Sequence, residues 1–378
     1  MPVNVHAQPS LKDAFKHDFL VGVAVKNSQF TGAHPAEAAL ITNQFNSISP
    51  ENVLKWDAVH PQPNRYNFGP ADRYVEFGLT NHMFIIGHVL IWHSQTPAWV
   101  FQDDQGKPLT RDALLARMRE HIFTVVGRYR GKIGGWDVVN EAVNEDGAMR
   151  QSPWQKIIGD DYVIKAFQYA READPQAELY YNDFSMENAP KRAGGLALVK
   201  KLQAAGCEDL EQVTPGHGAV ALLGKLRATG NLITGVGLQG HYNLTWPTPA
   251  QVDDTIKAFS QLGVKVMITE LDMNMLPPAS DTNTADVSLT VAARAELDPY
   301  TKGVPAAVSQ VEAERYASLF KVFVANRQSV SRVTIWGLTD GDSWLNDWPV
   351  KGRTAYPLMF DRNCQPKPWV DLVLKTAQ

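Results

Sequence analysis

Only two cysteines, Cys207 and Cys364, occur in 378 residues, which excludes a disulfide-stapled scaffold. A chain this long can bury a core without covalent help, so two free thiols are expected. No apolar run reaches the roughly 18 to 20 residues needed to cross a bilayer, and no membrane partner is read. The opening stretch MPVNVHAQPSLKDAF has neither a basic nor an apolar leader region, so no signal peptide is visible. Basic residues are not in excess. With 36 Lys and Arg against 40 Asp and Glu, the net charge of -4 provides no field to attract phosphate backbones, and no nucleic-acid partner is expected. No GxGxxG follows the first strand and no HxH or HExxH spacing appears, so neither a dinucleotide cofactor nor a metal is expected.

What is present is 44% hydrophobic residues arranged in a steady rhythm. Short apolar runs at 18–25, 45–48, 83–90, 134–141, 178–181, 233–239, 264–270 and 332–337 read as strands. Helical patterns lie between them at 35–43, 71–81, 111–128, 162–172, 191–205, 219–229, 252–262 and 311–326. Strands that are apolar throughout are buried on both faces, as parallel strands are. Eight such units, with polar residues after almost every strand, predict a (β/α)8 TIM barrel of the α/β class. Its length suits one domain covering 1–378, because such barrels run from about 200 to more than 400 residues. Residues 276–307, rich in Pro, Ala, Thr, Asp and Ser, are expected to form a long loop on the active face.

Barrel chemistry sits at the C-terminal strand ends. Two apolar strands end in a glutamate: GGWDVVNE closes on Glu141 and VKVMITE on Glu270. The other strand ends carry Glu51, Asn52 and Lys55; His88, Trp92 and Gln95; Asn140; Tyr181 and Asn182; Gln239 and His241; Asp272; Trp336 and Trp344. Amides and carboxylates match sugar hydroxyls, and indole rings match the C–H faces of a sugar. Two glutamates across a glycosidic bond are the equipment of glycoside hydrolysis. Trp56, Trp99, Trp136 and His93 read equally well as packing.

Five ordered segments, SPENVLKW (49–56), GHVLIWHSQTPAW (87–99), WDVVNEA (136–142), ITELD (268–272) and WGLTDGDSW (336–344), resemble glycoside hydrolase family 10, the retaining endo-β-1,4-xylanases. The resemblance runs from about residue 11 to the end. It implies that Glu141 is the acid/base and Glu270 the nucleophile, with His241 bonded to Glu270 and held by Asp272. It also implies that Asn140 reaches the sugar 2-hydroxyl and that His88, Trp92, Gln239, Trp336 and Trp344 wall that subsite. Glu51, Asn52, Lys55 and Gln95 would bind on the glycone side, and Tyr181 and Asn182 would face the leaving group. Lys26–Asn27 and the insertion at 276–307 are departures from the family pattern. A monomer acting on xylan and xylo-oligosaccharides follows, secreted or periplasmic because an insoluble polymer is met outside the cytoplasm. Two other readings are a β-glycanase for mixed-linkage or other β-1,4-glycans and a non-catalytic glycan-binding barrel. In a retaining pair about 5 to 5.5 Å apart, the charged nucleophile is expected to keep the acid protonated.

Overall fold

The computed structural model describes residues 9–212, 232–279 and 290–377. The strands are β1 (Leu20–Val25), β2 (Ser47–Pro50), β3 (Phe84–Ile91), β4 (Gly135–Asn140), β5 (Glu178–Asp183), β6 (Gly235–Leu238), β7 (His241–Asn243), β8 (Lys265–Asn274) and β9 (Val330–Ile335). All their pairings are parallel. Strands β1 to β6 pair in sequence order, β6 then pairs with β8, β8 with β9, and β9 returns to β1. Eight strands therefore close a (β/α)8 barrel. The short β7 hangs on the far end of β8, with His241 opposite Asp272.

Helices alternate with the strands as the periodicity predicts, including Arg111–Arg128, whose Thr110 side chain caps the Ala113 amide. The expected helix at 219–229 lies outside the described residues. Most strand boundaries shift by one to four residues, two of them for identifiable local reasons. Residue 45, expected in a strand, is the C-cap of helix Pro35–Gln44, and β2 begins two residues later. The strand expected at 264–270 continues to Asn274 because β7 supplies its last partners.

Packing places helix faces against the barrel exterior and a smaller cluster of Ile86, Tyr180, Met267 and Phe84 inside it. Trp56 and Trp136 are core residues, 2% and 0% exposed. A Cβ at Gly87 would lie 2.0 Å from the Trp136 ring, so only glycine lets that indole cross β3. Cys364 carries a free thiol, whereas the side chain of Cys207 lies outside the described residues. No helix among the described residues is long and apolar enough to cross a membrane.

Candidate active site

The strand ends open into a groove of about 900 Å³. Around the barrel, β6 stands four strands from β2 in either direction, while β4 and β8 flank the space between. Glu141 therefore rises on one wall and Glu270 on the other. Each sits beside a break in the ladder: the β4–β5 register shifts between Asp137 and Val139, and the β8–β9 register between Ile268 and Leu271. Such irregularities re-aim side chains at a barrel rim. Glu141 also adopts φ 59°, a left-handed conformation that costs a non-glycine residue about 1 to 2 kcal/mol.

An unbroken chain of side-chain hydrogen bonds joins the two glutamates. Asn182 Nδ2 donates to Glu270 Oε1 at 2.7 Å and to Asn140 Oδ1 at 2.9 Å. Gln239 Nε2 donates to the same Asn140 oxygen at 3.3 Å and to Glu141 Oε1 at 2.8 Å. With its carbonyl doubly engaged, Asn140 has Nδ2 left to donate into the groove it lines. Thr269 fixes Asn182 from behind, Oγ1 to Oδ1 at 2.6 Å. A Cβ at Gly237 would stand 2.2 Å from that Asn182 oxygen, so glycine is required there.

The two carboxyls titrate on opposite sides of the ordinary value. Burial raises the pKa of Glu141, against hydrogen bonds from Gln239 and Trp92, whose Nε1 donates to Oε2 at 2.8 Å. The charge on Glu270 adds to the rise but is smaller than burial, which shifts the weight from the neighbouring charge expected above. Burial also opposes charge on Glu270, yet donation from His241 and Asn182 and the nearby His88 and His241 outweigh it and hold its pKa low. His241 Nε2 lies 3.1 Å from Glu270 and Nδ1 3.1 Å from Asp272. Burial disfavours the imidazolium, but these two carboxylates lift its pKa to about 10. Trp344 Nε1 anchors Asp272 at 2.7 Å.

Toward β1 to β3 the groove is polar. Lys55 donates to Asn52 at 3.0 Å and Gln95 at 2.8 Å, and its ammonium stands 5.1 Å from the centre of the Trp92 ring. Glu51 approaches Lys26 at 3.9 Å. His88, held 3.0 Å from Asp137, and Trp336 complete the inner wall. Pro277, Pro278, Thr290 and Val291 line the groove, which puts the described part of the 276–307 segment on the active face.

Two expected positions need correction. Tyr181 and Asn182 are both fully buried and neither lines the groove. Asn182 lies beneath the glutamates, and Tyr181 points away into the wall. The aromatic groups at that end of the groove are Phe184 and Trp246, with Asn243 beside them. A survey of polar strand-end residues passes over Phe184, and Trp246 enters from the loop after β7. Lys26, Trp348 and Arg353 also line the groove unforeseen.

A barrel whose mouth holds two buried glutamates on facing walls of a long groove, joined by amides and flanked by indoles, has the architecture of a polysaccharide-cleaving glycoside hydrolase. The model of glycosyl hydrolase family 10 matches residues 10–376, and the chain belongs to that family. Endo-1,4-beta-xylanase A of Xylanibacter ruminicola is 42% identical over 97% of this chain and 93% of its own length. Beta-1,4-xylanase of Dictyoglomus thermophilum is 39% identical over 95% and 88%. Among solved structures, a family 10 endoxylanase from a sugarcane soil metagenome superposes with a TM-score of 0.86 at 40% identity, covering 97% of this chain and 99% of that one.

Proposed function

We propose that the chain is one catalytic domain that hydrolyses internal β-1,4-xylosidic bonds of xylan and xylo-oligosaccharides with retention of anomeric configuration. The observation that carries this reading is the pair of facing glutamates with opposed titration, one whose pKa burial raises and one whose pKa His241 and Asn182 hold low. Glu270 attacks the anomeric carbon while Glu141 protonates the departing oxygen, giving a glycosyl ester on Glu270. Esterification removes the Glu270 charge, so Glu141 becomes more acidic and serves as base toward water. Asn140 Nδ2 is placed for the 2-hydroxyl of the reacting sugar. Glu51, Asn52, Lys55 and Gln95 hold the glycone, which leaves the Phe184 and Trp246 end for the leaving group. Secretion or periplasmic placement and a monomeric state belong to the same reading.

Reducing-sugar release on xylan, mixed-linkage glucan and carboxymethylcellulose, run side by side, tests substrate class. Xylan is expected to be cleaved fastest, and no release from any polymer would leave a non-catalytic barrel. Proton NMR of the first products tests the mechanism, because one nucleophile and one switching acid/base release the β-anomer first. An α-anomer appearing first would overturn both roles.

A further inference from the structure

Glu141 holds a left-handed backbone that a glutamate does not favour, and no strand ladder explains why it stays there. Its surrounding backbone groups are instead tied by one buried and one partly exposed side chain and by one bond to β5. The Glu141 amide donates to the Asn182 carbonyl at 2.9 Å, and Arg150 Nε donates to the Glu141 carbonyl at 2.7 Å. The next amide, Ala142, donates to the Tyr181 hydroxyl at 3.1 Å. Tyr181 in turn donates to Asp183, which also accepts from the amides of Val143 at 3.4 Å and Phe184 at 2.9 Å. Lys191, fully buried, closes the network 3.1 Å from Asp183 and 3.2 Å from Glu145.

We infer that Tyr181 and Arg150 are positioning residues for acid/base catalysis: from behind the wall they clamp the turn that aims the Glu141 carboxyl at the glycosidic oxygen. Neither touches the sugar or the nucleophile. The Tyr181 hydroxyl keeps its proton, since burial and the Asp183 charge push its pKa far up, and so it remains a donor to Asp183 and an acceptor for Ala142. Loss of the clamp lets the turn relax and moves the carboxyl off its line. Proton transfer is sensitive to heavy-atom distance, while attack by Glu270 on the other wall is not affected.

The inference rests on the proposed role of Glu141, and leaving-group dependence separates the two. In Tyr181→Phe, kcat/KM on xylotetraose is expected to fall on the order of tenfold or more, within the range that general acid catalysis supplies. On 2,4-dinitrophenyl xylobioside, whose phenolate departs without a proton, kcat/KM should match the wild type. The turnover number on that substrate should drop and recover with azide, which needs no base. Arg150→Met, made at a partly exposed position, is read on the same pair of substrates and serves if Tyr181→Phe does not fold. Selective loss on xylotetraose supports the clamp. Equal loss on both substrates, or no loss on either, overturns it. If Glu141→Ala itself shows no selectivity, the acid/base role fails and takes this inference with it.

Discussion

At the scale of single residues, the two glutamates look alike in sequence and differ only in what donates to them. Glu270 receives two donors and the field of an imidazolium, so it is ionised and ready to attack. Glu141 is 6% exposed and its two donors do not offset burial, so its pKa is raised and it holds its proton more tightly than Glu270 does. Removing the acid should matter only as far as the leaving group needs a proton. Glu141→Ala is therefore expected to lose a factor on the order of 10² to 10⁴ on xylan while nearly sparing glycosylation by a dinitrophenyl xylobioside. The ester then accumulates for want of a base, and azide should restore turnover with a β-azide product. Glu270→Ala removes the nucleophile and should be inactive on both substrates without azide. If the Glu270 variant instead kept its rate on the activated substrate and the Glu141 variant did not, the roles would be exchanged.

At the scale of elements, strand and helix order could be read from hydrophobic rhythm because a parallel barrel buries both faces of every strand. The same uniformity hides which way each side chain points. In β5 the run Tyr180, Tyr181, Asn182, Asp183 is buried from end to end, and successive residues point to opposite faces. Asn182 reaches Glu270 inside the barrel, so Tyr181 and Asp183 must point outward, and a polarity census cannot supply that parity. The pairs Glu270 with His241 and His241 with Asp272 were legible only through the family resemblance. Their geometry depends on β7, three residues too short to announce itself. The loop after β9 was legible as an indole-rich wall, but Trp344 proves also to anchor Asp272 and to stack on Trp348 with centroids 5.1 Å apart. Trp344→Ala should therefore open the wall near the position of a C6 group and lower the rate on xylosides at once. The ratio of kcat/KM for aryl xylobioside to that for aryl cellobioside is expected to fall. An unchanged ratio would remove Trp344 as a selectivity element.

At the scale of the whole molecule, the rigidity of the polar end of the groove depends on packing well behind it. Lys55 leads directly into helix Trp56–Val59, and Trp56 stacks on His121 with centroids 3.6 Å apart. His121 and His60 face each other Nδ1 to Nδ1 at 3.2 Å, both buried, so one must donate and the other accept as neutral rings. Burial, with the Arg117 charge adding, pushes the His60 pKa down to about 4, and burial holds His121 well below 6.5. In the unfolded chain both titrate near 6.5. Between pH 6.5 and about 4 the unfolded state thus binds more protons than the folded state, and stability must fall as pH drops through that window. The contribution is fully present above 6.5 and is lost progressively below it. Calorimetry at pH 7 and pH 5 should show a smaller drop in Tm for His60→Gln than for the wild type, even if the variant starts from a lower Tm at pH 7. An equal drop in both proteins would mean that the pair does not couple folding to protons, and that carboxylates elsewhere carry the acid sensitivity.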